Sequence, residues 1–311
     1  MPDPAVYAWA LTLSAFVSAV VLVVAKLTIR SRSQAAGVTV GVVAVTASML
    51  AGYWAMKVNL SWPPVTGLSR FLTILLPATI VVELAAGFVG IQSKTAWRLR
   101  AAMCSILSPI ILQGSVYLNG AATDGAWTAS TITVAFAIGF GLSLAGLLSM
   151  QRLTERSVPT SVSFSLAMAI FSAGIATMLG GYINGGAAAF PIAAALAASA
   201  IIVTILSGEL SSSGRGIVHG TVGIGSVSLF CLLCIARFFG NVSSVSALMI
   251  LLAPHLCWLS EHPKFKPQTR WKITLFRLVG VAIPLGVVLL FAAIEFNLKM
   301  APLLVVSWRE S

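Results

Sequence analysis

The sequence predicts an all-α integral membrane protein, a polytopic bundle of about ten transmembrane helices. Three observations carry that expectation. The 311 residues are 58% hydrophobic and only 9% charged, whereas an ordinary soluble domain is about 25% charged. So little charge cannot coat a surface in water. The apolar residues also fall in long runs, most near the roughly 20 residues that cross the hydrocarbon core as a helix. Finally, basic residues gather in alternate loops, as the orientation rule for membrane proteins requires. The whole chain, 1–311, is expected to form one integral membrane domain, with the lipid bilayer as its first partner.

Each segment can be justified in turn. Segment 1, Ala5–Ile29, is followed, not preceded, by its positive charges Lys26, Arg30 and Arg32. A cleavable leader carries them in front, so this is expected to be a spanning helix. Segment 2, Ala35–Met56, has small residues at four-residue spacing: Gly37 and Gly41, then Ala44, Ser48 and Gly52. Such a face lets a second helix approach closely. Segment 3, Phe71–Ile91, contains Glu83, the one acidic residue inside any run. Segment 4, Ala101–Leu118, is short and interrupted by Pro109. Segment 5, Thr131–Met150, pairs Gly139 with Ser143 and Gly141 with Ala145. Segments 6 and 7 are Thr160–Tyr182 and Ala187–Gly208. Segment 8, Val218–Phe238, opens with the glycine-rich stretch HGTVGIGS. That stretch lacks both GxGxxG and a GK[ST] ending, and no strand precedes it, so close packing explains it better than phosphate binding. Segment 9, Val245–Ser260, is short and broken by Pro254, and segment 10 is Ile273–Ile294. The apolar patch Ala301 to Trp308 is too short to span and is expected at the interface. Tyr117-Leu118-Asn119-Gly120 and Tyr182-Ile183-Asn184-Gly185 read as headgroup anchors followed by turns out of a helix.

The loop charges set an orientation. Lys57, Arg70, Arg237, Lys299 and Arg309 fall on one side, and the other 14 of the 19 basic residues fall on the opposite side. Basic loops stay in the cytoplasm. The protein is therefore expected in the inner or plasma membrane with both termini outside the cytoplasm. The net charge of +11 is accounted for by this topology. Nucleic-acid binding would need a basic face on a soluble surface, and no stretch supplies one.

Ten helices divide into halves, 1–150 and 151–311, of five each. An odd number per half inverts one half relative to the other, as in inverted-repeat transporters. Segments 4 and 9 support this 5+5 reading, because each is short and each carries a central proline, Pro109 and Pro254. Paired short, proline-broken segments are the best sequence pointer to a transporter's binding site.

The candidate site follows from polar residues inside the runs. A bare carboxylate is costly in lipid, so Glu83 must be sheltered, and a titrating carboxyl facing a wet cavity suits a proton-coupled carrier. His255 is the expected partner of Glu83. Gln113, one turn past Pro109, is expected to hydrogen-bond between helices. Arg277 is expected to reach the inner interface, with a contact to an anionic solute as its functional alternative. No metal or cofactor is expected. Cys231 and Cys234 form a lone CxxC, the three His are scattered, and no HExxH or GxSxG is present. The preferred function is a carrier for a small solute, proton-linked, with its site between segments 3, 4 and 9. The first alternative is a non-transporting scaffold or subunit, in which Glu83 would be dry and fully bonded. The second is an intramembrane enzyme acting on lipid, with the basic loop EHPKFKPQTRWK holding a headgroup.

Overall fold

A computed structural model describes residues 4–28, 33–58, 62–118, 127–156, 158–206, 212–261 and 270–299. The interfacial patch Ala301 to Trp308, His262 and most of the loop EHPKFKPQTRWK lie outside the described residues, as do Asn119 and Gly120 of the first Tyr-x-Asn-Gly stretch. Among the described residues the structure is all-helical, without strands. Nine helices there are long and apolar enough to cross a membrane. They correspond to segments 1–3 and 5–10. Segment 4 is present as α5 (Lys94–Leu112), whose first turns carry Lys94, Arg98 and Arg100.

The remaining elements are α1 (Pro4–Thr28), α2 (Gln34–Ala55), α3 (Gly67–Arg70) running through a π-helical turn (Phe71–Leu75) into α4 (Leu76–Val89), and α6 (Ala129–Thr154). The second half comprises α7 (Pro159–Leu179), α8 (Ile183–Ala187), α9 (Ala189–Leu206), α10 (Ser212–Phe239), α11 (Ser244–Leu252) continued by a 3₁₀ segment (Ala253–Glu261), and α12 (Arg270–Lys299).

Side-chain oxygens fix several of the starts. Ser33, Ser93, Thr128 and Ser243 each accept a backbone N–H three residues on, and Thr66 forms a capping box with Ser69. Such caps satisfy donors that have no partner within the helix. The Ser93 cap starts α5 seven residues before the expected Ala101. Arg98 and Arg100 are therefore helix residues, not loop charges.

The prolines act differently from one another. The π-helical turn precedes Pro77, whose ring clashes with the carbonyl four residues back. The wider turn relieves that clash, with Leu76 N–H bonding to Phe71 O. Pro254 switches α11 from α- to 3₁₀-helix at mid-span. Pro109 stays inside regular helix, and its carbonyl accepts the Gln113 N–H where α5 ends. The Tyr182 stretch also differs from expectation. Gly181, at φ 94°, turns the chain after α7, so Tyr182-Ile183-Asn184-Gly185 opens the next helix instead of closing the last.

The centre of the bundle is α10, which packs on α2, α4, α6, α7 and α9. The α2–α10 contact is built on small residues from both helices. A Cβ on Gly37 or Gly41 would meet the backbone of Ser213 or Ile217, and one on Gly216 or Gly220 would meet that of Gln34 or Val38. Small faces at four-residue spacing allow this approach, as the glycines of segments 2 and 8 suggested. Most of α1, α6 and α12 is exposed, through side chains such as Phe16, Val134, Ile283 and Leu290; such surface suits lipid. Contacts within the halves correspond: α1 packs on α2 as α7 packs on α9, and α5 on α6 as the 3₁₀ segment on α12. Contacts between the halves are less regular. α1 packs broadly on α9, while no comparable α7–α2 contact occurs among the described residues.

Candidate functional site: a buried polar layer at the basic end

The helix ends that meet the basic loops bury an unusual share of the polar side chains. On this side lie the C-terminal ends of α4, α6 and the 3₁₀ segment, and the N-terminal ends of α5, α7, α10 and α12. Their polar residues form two networks.

The first is centred on Glu83. The α4–α5 hairpin turns at Gly90, φ 94°, and sets Glu83 beside Arg100. Arg100 donates from Nε to Glu83 Oε1 at 3.0 Å and from Nη2 to Oε2 at 2.7 Å. Its Nη1 donates to Ile91 O at 3.1 Å, and its guanidinium lies 5.0 Å from the centre of the Trp97 ring. Glu83 and Arg100 are each 1% exposed. The paired, forked geometry matches guanidinium to carboxylate and keeps both charges satisfied away from water. Gly223 of α10 makes room for the pair, since a Cβ there would overlap the Glu83 carboxylate.

His219, one turn before Gly223, anchors α6 to α10. Its Nδ1 lies 2.6 Å from Gln151 Oε1, its carbonyl accepts from Gln151 Nε2 at 3.1 Å, and Thr154 Oγ1 lies 3.1 Å from Nδ1. On α7, Ser163 Oγ lies 3.2 Å from Thr221 Oγ1. Just past the end of α6, partial burial raises the Glu155 carboxyl from its ordinary value, against the pull of Arg152.

The second network is centred on Arg277, also 1% exposed. Its Nε donates to Ser260 Oγ at 2.6 Å, Nη1 to Val158 O at 3.0 Å and to Ser161 Oγ at 2.7 Å, and Nη2 to Glu261 Oε1 at 2.6 Å. It ties α7, α12 and the 3₁₀ segment together. The expected reach of Arg277 to the interface, or to an anionic solute, is replaced by this set of protein acceptors.

The structure does not assemble Glu83, Gln113 and His255 into one site. Glu83 lies six residues from the end of α4, about 9 Å, and sixteen from the start of α3, about 24 Å. It is in the basic third of the span instead of at the midplane, because the helix begins at Gly67 and not at Phe71. Its partner is Arg100 instead of His255. Gln113 is exposed at the far end of α5, about 20 Å along the axis from Arg100. Its carbonyl accepts a hydrogen bond from Arg70 Nη1. His255 is half-buried directly after Pro254. Its Nδ1 lies 3.2 Å from Leu251 O, and its ring faces Gly146 of α6. The two proline sites share α6, because Ser108, beside Pro109, packs on Gly139 of the same helix.

The sequence reading missed Arg100, Gln151 and Glu261 as partners. Arg100 had one signal, the Ser93 cap, which places it in the helix seventeen residues after Glu83 across a short turn. For Gln151 and His219 no local signal exists, since their chain separation is 68 residues.

The opposite end is more open. A cavity of about 370 Å³ lies among Leu179 and Gly180 of α7, Asn241, Ser243 and Ser246 before and in α11, and Glu295 and Phe296 of α12. At the same end, Tyr117, Trp127 and Phe238 meet in tilted and edge-to-face contacts at 5.0–5.6 Å between ring centres. No protein-family model matches this chain, and no curated protein matches it.

Proposed function

We propose that this multi-pass membrane protein is a carrier for a small solute, held here with its basic end closed and its opposite end accessible. The observation that carries the reading is the asymmetry between the two ends. The Glu83–Arg100 and Arg277–Glu261 pairs and the His219 network close the basic end, while the cavity of about 370 Å³ opens at the other. Buried ion pairs are weak sources of stability but well suited to a contact that forms in one state and breaks in another. The loop charges favour the basic end as the cytoplasmic one. With Arg98, Arg100 and Arg277 taken out of the loop count the basic end still carries the larger positive charge, which supports both termini lying outside the cytoplasm of an inner or plasma membrane. Proton coupling is part of the proposal.

The second reading is a non-transporting scaffold or subunit. It is favoured by Glu83 being dry and fully bonded. The two readings separate in pyranine-loaded proteoliposomes challenged with small amines, organic acids, sugars and amino acids. A carrier gives a lumenal pH change with one class of solute, and R100Q alters its rate. A scaffold gives no response above that of empty liposomes with any class.

A further inference from the structure

A second polar position lies deeper in the membrane than the Glu83 pair. On α10, His219, Gly223 and Ser226 recur at i, i+4 and i+7, so they share one face. His219 meets Gln151, Gly223 meets Glu83, and Ser226 borders a small cavity beside His255. The face therefore leads from the basic end to His255. That residue lies about 12 Å along the 3₁₀ segment from Glu261, near the middle of the span.

Three polar groups border this cavity. The 3₁₀ pattern would bond the N–H of residue 254 to Leu251 O, but residue 254 is proline and has none. His255 Nδ1 donates to Leu251 O instead, at 3.2 Å. A carbonyl only accepts, so this bond fixes the proton on Nδ1 and leaves Nε2 as a bare acceptor. Ser226 Oγ is buried and has no partner among the described residues. Ser143 Oγ donates to Phe140 O at 3.0 Å and also meets the Cys104 thiol of α5, which leaves one lone pair available. The cavity holds about 10 Å³, room for one water, and three polar neighbours meet a buried water's usual need. Apart from His255 no bordering residue is titratable. α6 contributes Ser143 and Gly146, α7 Leu166, and α10 Ser226 and Phe230. Arg277 of α12 and Glu261 of the 3₁₀ segment pair with each other farther along, and Lys272 and Glu295 lie near the two ends of α12.

We infer that His255 Nε2, Ser226 Oγ and Ser143 Oγ hold one water, and that this hydrated imidazole takes up a proton inside the membrane. Uptake forms an N–H bond at Nε2 from a protonated water, and the neutral water it leaves stays on the two serine oxygens. The ligand is thus a hydrated proton. The inference deepens the proton-linked carrier reading and rests on it for its physiological meaning.

The test uses full-length protein with ¹⁵N-histidine in lipid nanodiscs. The chain has three histidines, and H255Q assigns the ring by loss of its signals. The expected result at neutral pH is a ring protonated at Nδ1, bare at Nε2, and in cross-relaxation with water. Acidification protonates Nε2. The double variant S143A/S226A is expected to keep the Nδ1 tautomer, which Leu251 O fixes, while losing the water signal. An Nε2–H tautomer, a ring without water contact, or a water contact that survives S143A/S226A would overturn the inference. The carrier reading fails separately, by absence of solute-driven pH change in proteoliposomes of wild-type protein whose His255 behaves as described.

Discussion

Removing one member of the Glu83–Arg100 pair is the sharpest perturbation the structure offers. Two unit charges about 4 Å apart attract by about 4 kcal/mol at an effective dielectric of 20. Loss of one partner from a buried pair costs about 3–5 kcal/mol, because the other charge is left without compensation. E83Q keeps the shape and an acceptor for Arg100, so it is expected near the lower bound, about 3 kcal/mol. R100Q also loses the bond to Ile91 O and the packing on Trp97, and is expected nearer 5 kcal/mol. The double variant E83Q/R100Q has no orphaned charge, so its cost should fall well below the sum, with a coupling of about 2–3 kcal/mol. Steric-trap unfolding in bicelles measures all four corners of this cycle. A cycle additive to within about 0.5 kcal/mol, or an E83Q variant as stable as the wild type, would refute the ion-pair account.

Four further outcomes follow from the packing. G223A places a methyl group into the Glu83 carboxylate and is expected to cost about 1–3 kcal/mol. G141A, with open space at its Cβ position, is expected to be neutral or slightly stabilising in the same assay. R277Q leaves Glu261 without its guanidinium and loosens α12 from α7; it is expected to cost about 3–5 kcal/mol and to speed hydrogen exchange at the start of α12. G41L forces α2 away from the backbone of Ile217 and is expected to lower the yield of monodisperse protein in detergent several-fold.

Much of the fold was legible in the sequence, since a bilayer leaves the chain few choices. Run length placed most helix ends to within about four residues, with both ends of α5 and the start of α10 six or seven residues off, and the glycines of α2 and α10 pointed to a close helix contact. The clearest error on segment 4 came from weighting hydropathy over capping. Lys94 to Arg100 read as a polar loop, while Ser93 starts a helix there that carries Arg100 to Glu83. The site was less legible. Glu83 reads as a carboxyl that needs shelter and His255 as its expected partner, but the partners each one has depend on docking between segments. Gln113 was misplaced because the helix ends three residues after Pro109, at Leu112, which leaves the Gln113 side chain exposed. Pro254 was identified as a break, yet the bond it hands to His255 emerges only from the 3₁₀ geometry.

In the proposed carrier the buried layer closes the basic end while the opposite end stays open. Reciprocal accessibility tests it most directly, with native cysteines replaced and single cysteines introduced by A292C in the open cavity and by S163C in the buried layer. In reconstituted protein, the account predicts that a membrane-impermeant maleimide labels A292C from the outer side and leaves S163C unlabelled from either side. Adding R100Q should expose S163C to the cytoplasmic side and slow labelling of A292C, with the protein still monodisperse. Free labelling of S163C without R100Q, or R100Q protein that is folded but unchanged at both positions, would contradict the claim.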